Sequence, residues 1–173
     1  PDFEVAGEAA DGTEVMRIVR ELEFDLLVLD LSMPGRSGME LIKLVKAERP
    51  RLRILVLSMH QEDQYAVRAI KSGASGYLTK ESAPAQLELA IRKIAGGGAY
   101  ISSAVAEQLA LGAMPGGADT DRPHERLSDR EFQVFRALVA GDAVNDIATR
   151  LNLSVKTVST HKSHLMQKLG LHN

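Results

Sequence analysis

The stretch Leu26-Leu27-Val28-Leu29-Asp30-Leu31-Ser32-Met33-Pro34-Gly35 joins an unbroken apolar run to a carboxylate and then to a Pro-Gly turn. A short apolar run between turn residues reads as a strand buried on both faces, as in a parallel sheet. The same figure recurs twice. Ile54-Leu55-Val56-Leu57 runs into Ser58, and Gly76-Tyr77-Leu78-Thr79 runs into Lys80. Apolar residues at helical spacing fill the intervals. Val15, Ile18, Val19 and Leu22 predict a helix over 12–23, and Leu41, Ile42, Leu44 and Val45 predict one ending near Pro50. Tyr65, Val67, Ala69 and Ile70 lie on a helix stopped by Gly73, and Leu87, Leu89, Ala90, Ile91 and Ile94 on one running into Gly96-Gly97-Gly98. Phe3-Glu4-Val5-Ala6-Gly7 predicts a further short strand. This alternation predicts an α/β fold with a doubly wound, mostly parallel sheet covered by helices on both faces.

The remaining chain is organised differently. The 173 residues leave room for a second, smaller domain. Residues 112–126 have a linker's Gly and Pro content. Ser128 followed by Glu131 is a capping box opening a helix, with Phe132, Phe135, Leu138 and Val139 on one face and Gly141 at its end. Ile147, Ala148 and Leu151 give a short second helix, and Ser154 caps a third over 155–169, with Val158, Leu165 and Leu169 turned inward. This part is all-α.

Composition narrows the functions. There is no cysteine, which excludes disulfides, thiolate metal sites and cysteine nucleophiles. Apolar runs such as Leu26 to Leu29 fall far short of the ~20 residues that span a membrane, and no secretory leader is visible. Net charge is −2, from 21 basic and 23 acidic residues, which by itself does not suggest nucleic acid. The distribution does. Residues 155–169 hold Lys156, Lys162 and Lys168 with His161 and His164 and no acid, a local positive segment.

Asp30, Ser58 and Lys80 each close or follow a predicted parallel strand. Sites in open α/β sheets form just outside the carboxyl ends of the strands. A carboxylate, a hydroxyl and an ammonium gathered there suit phosphoryl transfer: a nucleophile that forms an acyl phosphate, and partners for the phosphoryl oxygens. Taken singly, each has an ordinary reading. Asp30 is also a turn residue, Ser58 a cap, Lys80 a solvated cation and Tyr77 a half-buried strand tyrosine. Their joint placement favours the site.

These residues resemble the receiver domain of two-component response regulators. The resemblance rests on Leu27 to Gly35, Val56-Leu57-Ser58 and Gly73 to Lys80, and it covers about residues 1–100. It implies a flavodoxin-like fold with Asp30 as phosphate acceptor, Ser58 and Lys80 as its partners, and Tyr77 as the aromatic switch. It implies Mg²⁺ bound by Asp30 and the backbone carbonyl of Ser32. Receivers of this kind begin with a strand and an acidic pair that helps hold the metal. The sequence given starts at what resembles the second strand, so one strand and one helix are expected upstream. Glu81 stands where many receivers have Pro.

Residues 127–169 resemble a LuxR-type helix-turn-helix, through Leu127-Ser128-Asp129-Arg130-Glu131, Ala140-Gly141, Asp146-Ile147-Ala148, Leu151, Ser154 to Val158, His161 and Lys168-Leu169-Gly170. The second helix of such a motif enters the major groove. Ser159, Thr160 and Ser163 are candidates for base edges, and Lys156, Thr157, Lys162 and Lys168 for phosphates. A last helix is expected beyond Asn173. The expected organisation is a receiver over 1–100, a helix end and linker over 101–126, and the DNA-binding domain over 127–173. Together the two resemblances imply a NarL/FixJ-type response regulator. They imply a sensor histidine kinase as partner, double-stranded DNA with paired half-sites as target, a homodimer when phosphorylated, and a cytoplasmic location. No enzyme activity is implied beyond Mg²⁺-dependent phosphorylation and dephosphorylation at Asp30. Two alternatives remain at this point: a phosphorylation-independent transcription factor with a degenerate receiver, and an aspartate-nucleophile phosphatase. Ser32 stands where such phosphatases carry a second Asp. A dinucleotide-binding enzyme would want a G-x-G-x-x-G turn, which does not occur.

Overall fold

A computed structural model describes residues 3–33, 38–59, 63–113 and 127–171. Residues 34–37 of the expected loop and 114–126 of the expected linker lie outside the described residues. The chain forms two compact units, residues 1–115 and 116–173.

In the first unit the elements run α1 (Gly12–Glu21), β1 (Leu26–Asp30), α2 (Gly38–Glu48), β2 (Arg53–Ser58), α3 (Asp63–Lys71), β3 (Gly76–Thr79), α4 (Ala83–Ala95) and α5 (Ser103–Ala113). The three strands are parallel in the order β1-β2-β3. Parallel neighbours need a crossover, and α2 and α3 supply them. Central β2 is buried at Ile54, Leu55 and Val56. On one face Leu55 and Leu78 pack with Ala90 and Ile94 of α4. Asp11 caps α1 by accepting from the Thr13 and Glu14 amides at 2.8 and 2.9 Å.

Two strand expectations are corrected. Residues 3–7 form no strand, and Val5 is 76% exposed. Alternation supplies side chains suited to a strand, but a strand exists only against a hydrogen-bonded neighbour, and β1 pairs with β2 alone among the described residues. For the same reason β1 is not buried on both faces: it is an edge of the described sheet, and Val28 is 39% exposed.

The second unit holds α6 (Asp129–Val139), α7 (Val144–Arg150) and α8 (Val155–Leu169). The capping box forms as expected. Ser128 Oγ accepts from the Glu131 amide at 3.3 Å and Glu131 Oε2 from the Ser128 amide at 2.7 Å. The buried face of α6 is rotated from the expected one, carrying Phe132, Val134 and Ala137, while Val139 is exposed. Ser154 caps α8 through the Thr157 amide at 3.0 Å, and Gly170, at φ 66°, ends it in the left-handed conformation. Among the described residues no helix is long and apolar enough to cross a membrane.

Candidate phosphoacceptor site and nucleic-acid interface

Parallel register brings the carboxyl ends of β1, β2 and β3 to one edge. Asp30 pairs with Leu57 and Ser58 with Thr79, so the acceptor candidate, the hydroxyl and the residue after β3 share that edge. Lys80 is held there by its backbone amide, which donates to the Ser58 carbonyl at 2.8 Å. Its side chain crosses to β1, where Nζ donates to Asp30 Oδ2 at 2.6 Å. The other carboxylate oxygen accepts from the Ser32 amide at 2.7 Å, fixing the turn that follows the strand. Asp30 and Lys80 stay partly open, with side chains 31% and 36% exposed. A carboxylate so placed is oriented, accessible and beside a cation.

Ser58 and Tyr77 form a second, buried pair. Ser58 is fully buried, and its side chain shares a hydrogen bond with the Tyr77 phenol. Burial pushes the phenol above its ordinary pKa, and the Ser58 hydrogen bond partly opposes this. Tyr77 also has a backbone partner that sequence reasoning missed. Its amide donates to the Tyr100 carbonyl at 2.9 Å, and the Tyr100 amide donates to the Ser75 carbonyl at 3.1 Å. The chain leaving α4 thus bridges the edge of β3 in parallel sense. Gly76 permits the approach, because a Cβ there would lie 3.0 Å from the Tyr100 carbonyl oxygen. The only advance signal was that glycine.

Asp30 and the Ser32 carbonyl offer hard oxygen donors, the kind Mg²⁺ takes alongside water and phosphate oxygens. Among the described residues no group of three His, Asp or Glu side chains is placed to hold a metal.

In the second unit α7 and α8 meet through Ile147, Ala148 and Val158, all buried. The turn between them passes through Asn152 at φ 51°, and the Leu153 amide closes α7 on the Ala148 carbonyl at 2.8 Å. Asparagine tolerates that conformation better than other side chains. Lys156, Ser159, Thr160 and Ser163 are exposed on α8, while Thr157 and Lys162 are half-buried. Thr160 and Ser163 hydroxyls donate to the carbonyls of Lys156 and Ser159 at 3.0 and 3.1 Å, leaving their oxygens as outward acceptors. Lys168 has a partner that the sequence did not indicate. Its ammonium donates to Glu131 Oε2 at 2.7 Å, and the side chain stays 42% exposed. Burial pulls the His161 pKa down. Nearby Glu131 opposes that, while Arg130 and His164 reinforce it.

The family of response regulator receiver domains matches residues 1–92, and the luxR family of bacterial regulatory proteins matches residues 125–173. The chain belongs to the receiver–LuxR class of response regulators. It is 34% identical over 170 residues to the response regulator UvrY of Escherichia coli K12, covering 98% of this chain and 78% of that protein. RcsB from Salmonella enterica serovar Typhimurium, solved bound to promoter rprA in the presence of phosphomimetic BeF3⁻, is 31% identical at a TM-score of 0.56. That match covers 94% of this response regulator and 77% of the RcsB chain. A structure of two RcsB dimers bound to two parallel DNAs is 32% identical at a TM-score of 0.52, with 95% and 77% covered. This response regulator therefore carries the family's pairing of a parallel-sheet receiver with a DNA-binding helix-turn-helix domain.

Proposed function

We propose that this chain is a transcription regulator switched by phosphorylation of Asp30. The observation that carries the reading is the Asp30 carboxylate at the end of β1, oriented by the Ser32 amide and held by Lys80 at 2.6 Å. In the proposed step a carboxylate oxygen of Asp30 attacks the phosphorus of a phosphohistidine on a sensor kinase. A phosphorus–oxygen bond forms as the phosphorus–nitrogen bond breaks, and the imidazole leaves with its electron pair. Lys80 then has three phosphoryl oxygens to neutralise in place of one carboxylate oxygen. Mg²⁺ would be held by Asp30 and the Ser32 carbonyl, and it supplies charge neutralisation on the phosphoryl group. Hydrolysis of the acyl phosphate by water returns the carboxylate and resets the switch.

Ser58 then turns its hydroxyl toward the new oxygens. Tyr77, bonded to Ser58 by its phenol and to Tyr100 by its backbone, carries the change to the segment that leads into α5. The phosphorylated chain dimerises and reads paired half-sites on double-stranded DNA. Ser159, Thr160 and Ser163 face base edges, and Lys156, Thr157 and Lys162 face phosphates. The RcsB dimers on DNA support this assignment for the second unit. A cytoplasmic location fits such a partner set.

Incubation of the chain with Mg²⁺ and a small acyl phosphate tests the reading by intact mass. A single phosphoryl adduct, absent from Asp30→Asn, is the expected result. No adduct in a folded chain would leave a phosphorylation-independent DNA binder.

A further inference from the structure

Glu131 sits where two requirements meet. Its carboxylate closes the capping box of α6, and it is 4% exposed. A buried carboxylate is costly unless charge and hydrogen bonds compensate it. The Ser128 amide supplies one donor at 2.7 Å and belongs to the same helix end. Compensating charge comes from the far end of α8, where Lys168 Nζ reaches the same oxygen at 2.7 Å. His164, one turn earlier on α8, places Nδ1 3.9 Å from the other oxygen. Burial raises the carboxyl pKa, but the hydrogen bonds and charge of Lys168 and the Ser128 bonds outweigh it and hold the pKa below the usual range. The carboxylate is therefore ionised while the domain is folded at neutral pH.

We infer that Glu131 is a positioning residue for DNA recognition. It clasps α8 to the start of α6 through Lys168, so that the angle of the recognition helix is set by this ion pair. The inference rests on the reading of the second unit as the DNA-binding domain and adds a role within it. Packing at Val158 and Leu165 fixes how far α8 stands from the bundle, but apolar contacts are non-directional. A charge-assisted hydrogen bond at the last turn of a 15-residue helix constrains rotation and tilt at a long lever arm. Ser159, Thr160 and Ser163 lie between Val158 and that anchor, where a small tilt moves each hydroxyl relative to a base edge.

The two possible roles of Lys168 predict opposite results for Glu131→Gln. Glutamine keeps the shape and still accepts from the Ser128 amide, so the cap persists, but the charge that holds Lys168 is gone. Binding of the full chain is measured against a duplex selected from a random-sequence pool and against bulk mixed-sequence duplex, each over a salt series. If the clasp positions α8, Glu131→Gln loses roughly tenfold on the selected duplex, the size of one charge-assisted hydrogen bond. Mixed-sequence affinity and the salt slope stay as in the parent chain. If Lys168 serves a phosphate, its release raises affinity for both duplexes and steepens the slope by about 0.9. That result overturns the inference, as does an equal loss on both duplexes, which marks simple loss of folded protein. Lys162→Met is the internal standard: it is expected to flatten the slope by about 0.9. A parent chain that binds neither duplex would instead refute the DNA-binding reading itself.

Discussion

Gly76→Ala tests the bridge between β3 and the chain leaving α4. A Cβ built at Gly76 lies 2.6 Å from Ile94 Cδ1, 3.0 Å from the Tyr100 carbonyl oxygen and 3.2 Å from Leu55 Cδ1, where ordinary contact begins at 3.4 Å. The closest atom ends a flexible side chain, but Ile94 is fully buried and locked among Leu55, Leu78 and Ala90. It has to give by about 0.8 Å inside that buried cluster. The carbonyl oxygen is tied to the Tyr77 amide, so moving it lengthens that bond. Overpacking of this kind costs ~1–3 kcal/mol. Replacing glycine recovers ~0.4–1 kcal/mol through the unfolded chain. The net expectation is a loss of about 1–2 kcal/mol. All three tyrosines of the chain, Tyr65, Tyr77 and Tyr100, lie in the first unit and there is no tryptophan, so tyrosine fluorescence during denaturant unfolding reports that unit selectively. The Tyr77 amide should also exchange faster with solvent. Gly112→Ala is the matched control. Nothing lies within 4 Å of its Cβ, so the sign reverses and the unit gains up to about 1 kcal/mol. A Gly76→Ala chain as stable as the parent, with unchanged protection at Tyr77, would show that the bridge is not packed as described.

Ser154→Ala removes the acceptor for the Thr157 amide and should cost the second unit ~1 kcal/mol, read as a lower thermal midpoint by circular dichroism. Phe132→Ala empties the largest fully buried side chain of α6, at ~3–5 kcal/mol. That should abolish DNA binding while the acyl-phosphate adduct at Asp30 still forms. The Glu131 carboxyl is depressed in the folded chain, so its stabilising contribution is complete above the unfolded carboxyl pKa of ~4.3 and lost as pH falls below it. Acid titration of the second unit should flatten over that window in Glu131→Gln.

Legibility in the sequence followed whether a feature is set locally. The Ser128–Glu131 box and the Ser154 cap depend on residues three apart, and both were readable. The gathering of Asp30, Ser58 and Lys80 was readable too, because parallel topology converts successive strand ends into one edge. Features set by a distant neighbour were not. Residues 3–7 alternate like a strand but have no pairing partner among the described residues. Val139 fits a helical stripe that packing rotates away from the core. The second role of Glu131 depends on Lys168, 37 residues further on, and no spacing rule links them.

β3 is four residues long, yet it meets every part of the proposed switch. Just past its carboxyl end, Lys80 is bonded by its backbone to Ser58 and by its side chain to Asp30. In its middle, Tyr77 is bonded to Ser58 by its phenol and to Tyr100 by its amide. Beyond Tyr100, the Tyr100 phenol donates to Gln86 on α4 at 3.0 Å, and Ser102 donates to Asp63 on α3 at 3.4 Å while accepting from the Val105 amide at 3.2 Å. Val105 then plugs α5 into the first unit. A carboxylate that gains phosphoryl oxygens changes the demand on Ser58 and Lys80 together, and both are fastened to this one strand. A strand so short cannot absorb the change by bending in its interior. In the proposed switch the displacement would therefore emerge at its bonded edge, which is Tyr100. Coupling of this kind needs an element whose position both sites bias, and the segment from Tyr100 to Val105 is the one tied to β3, to α4 through Gln86 and Lys93, and to α3 through Asp63.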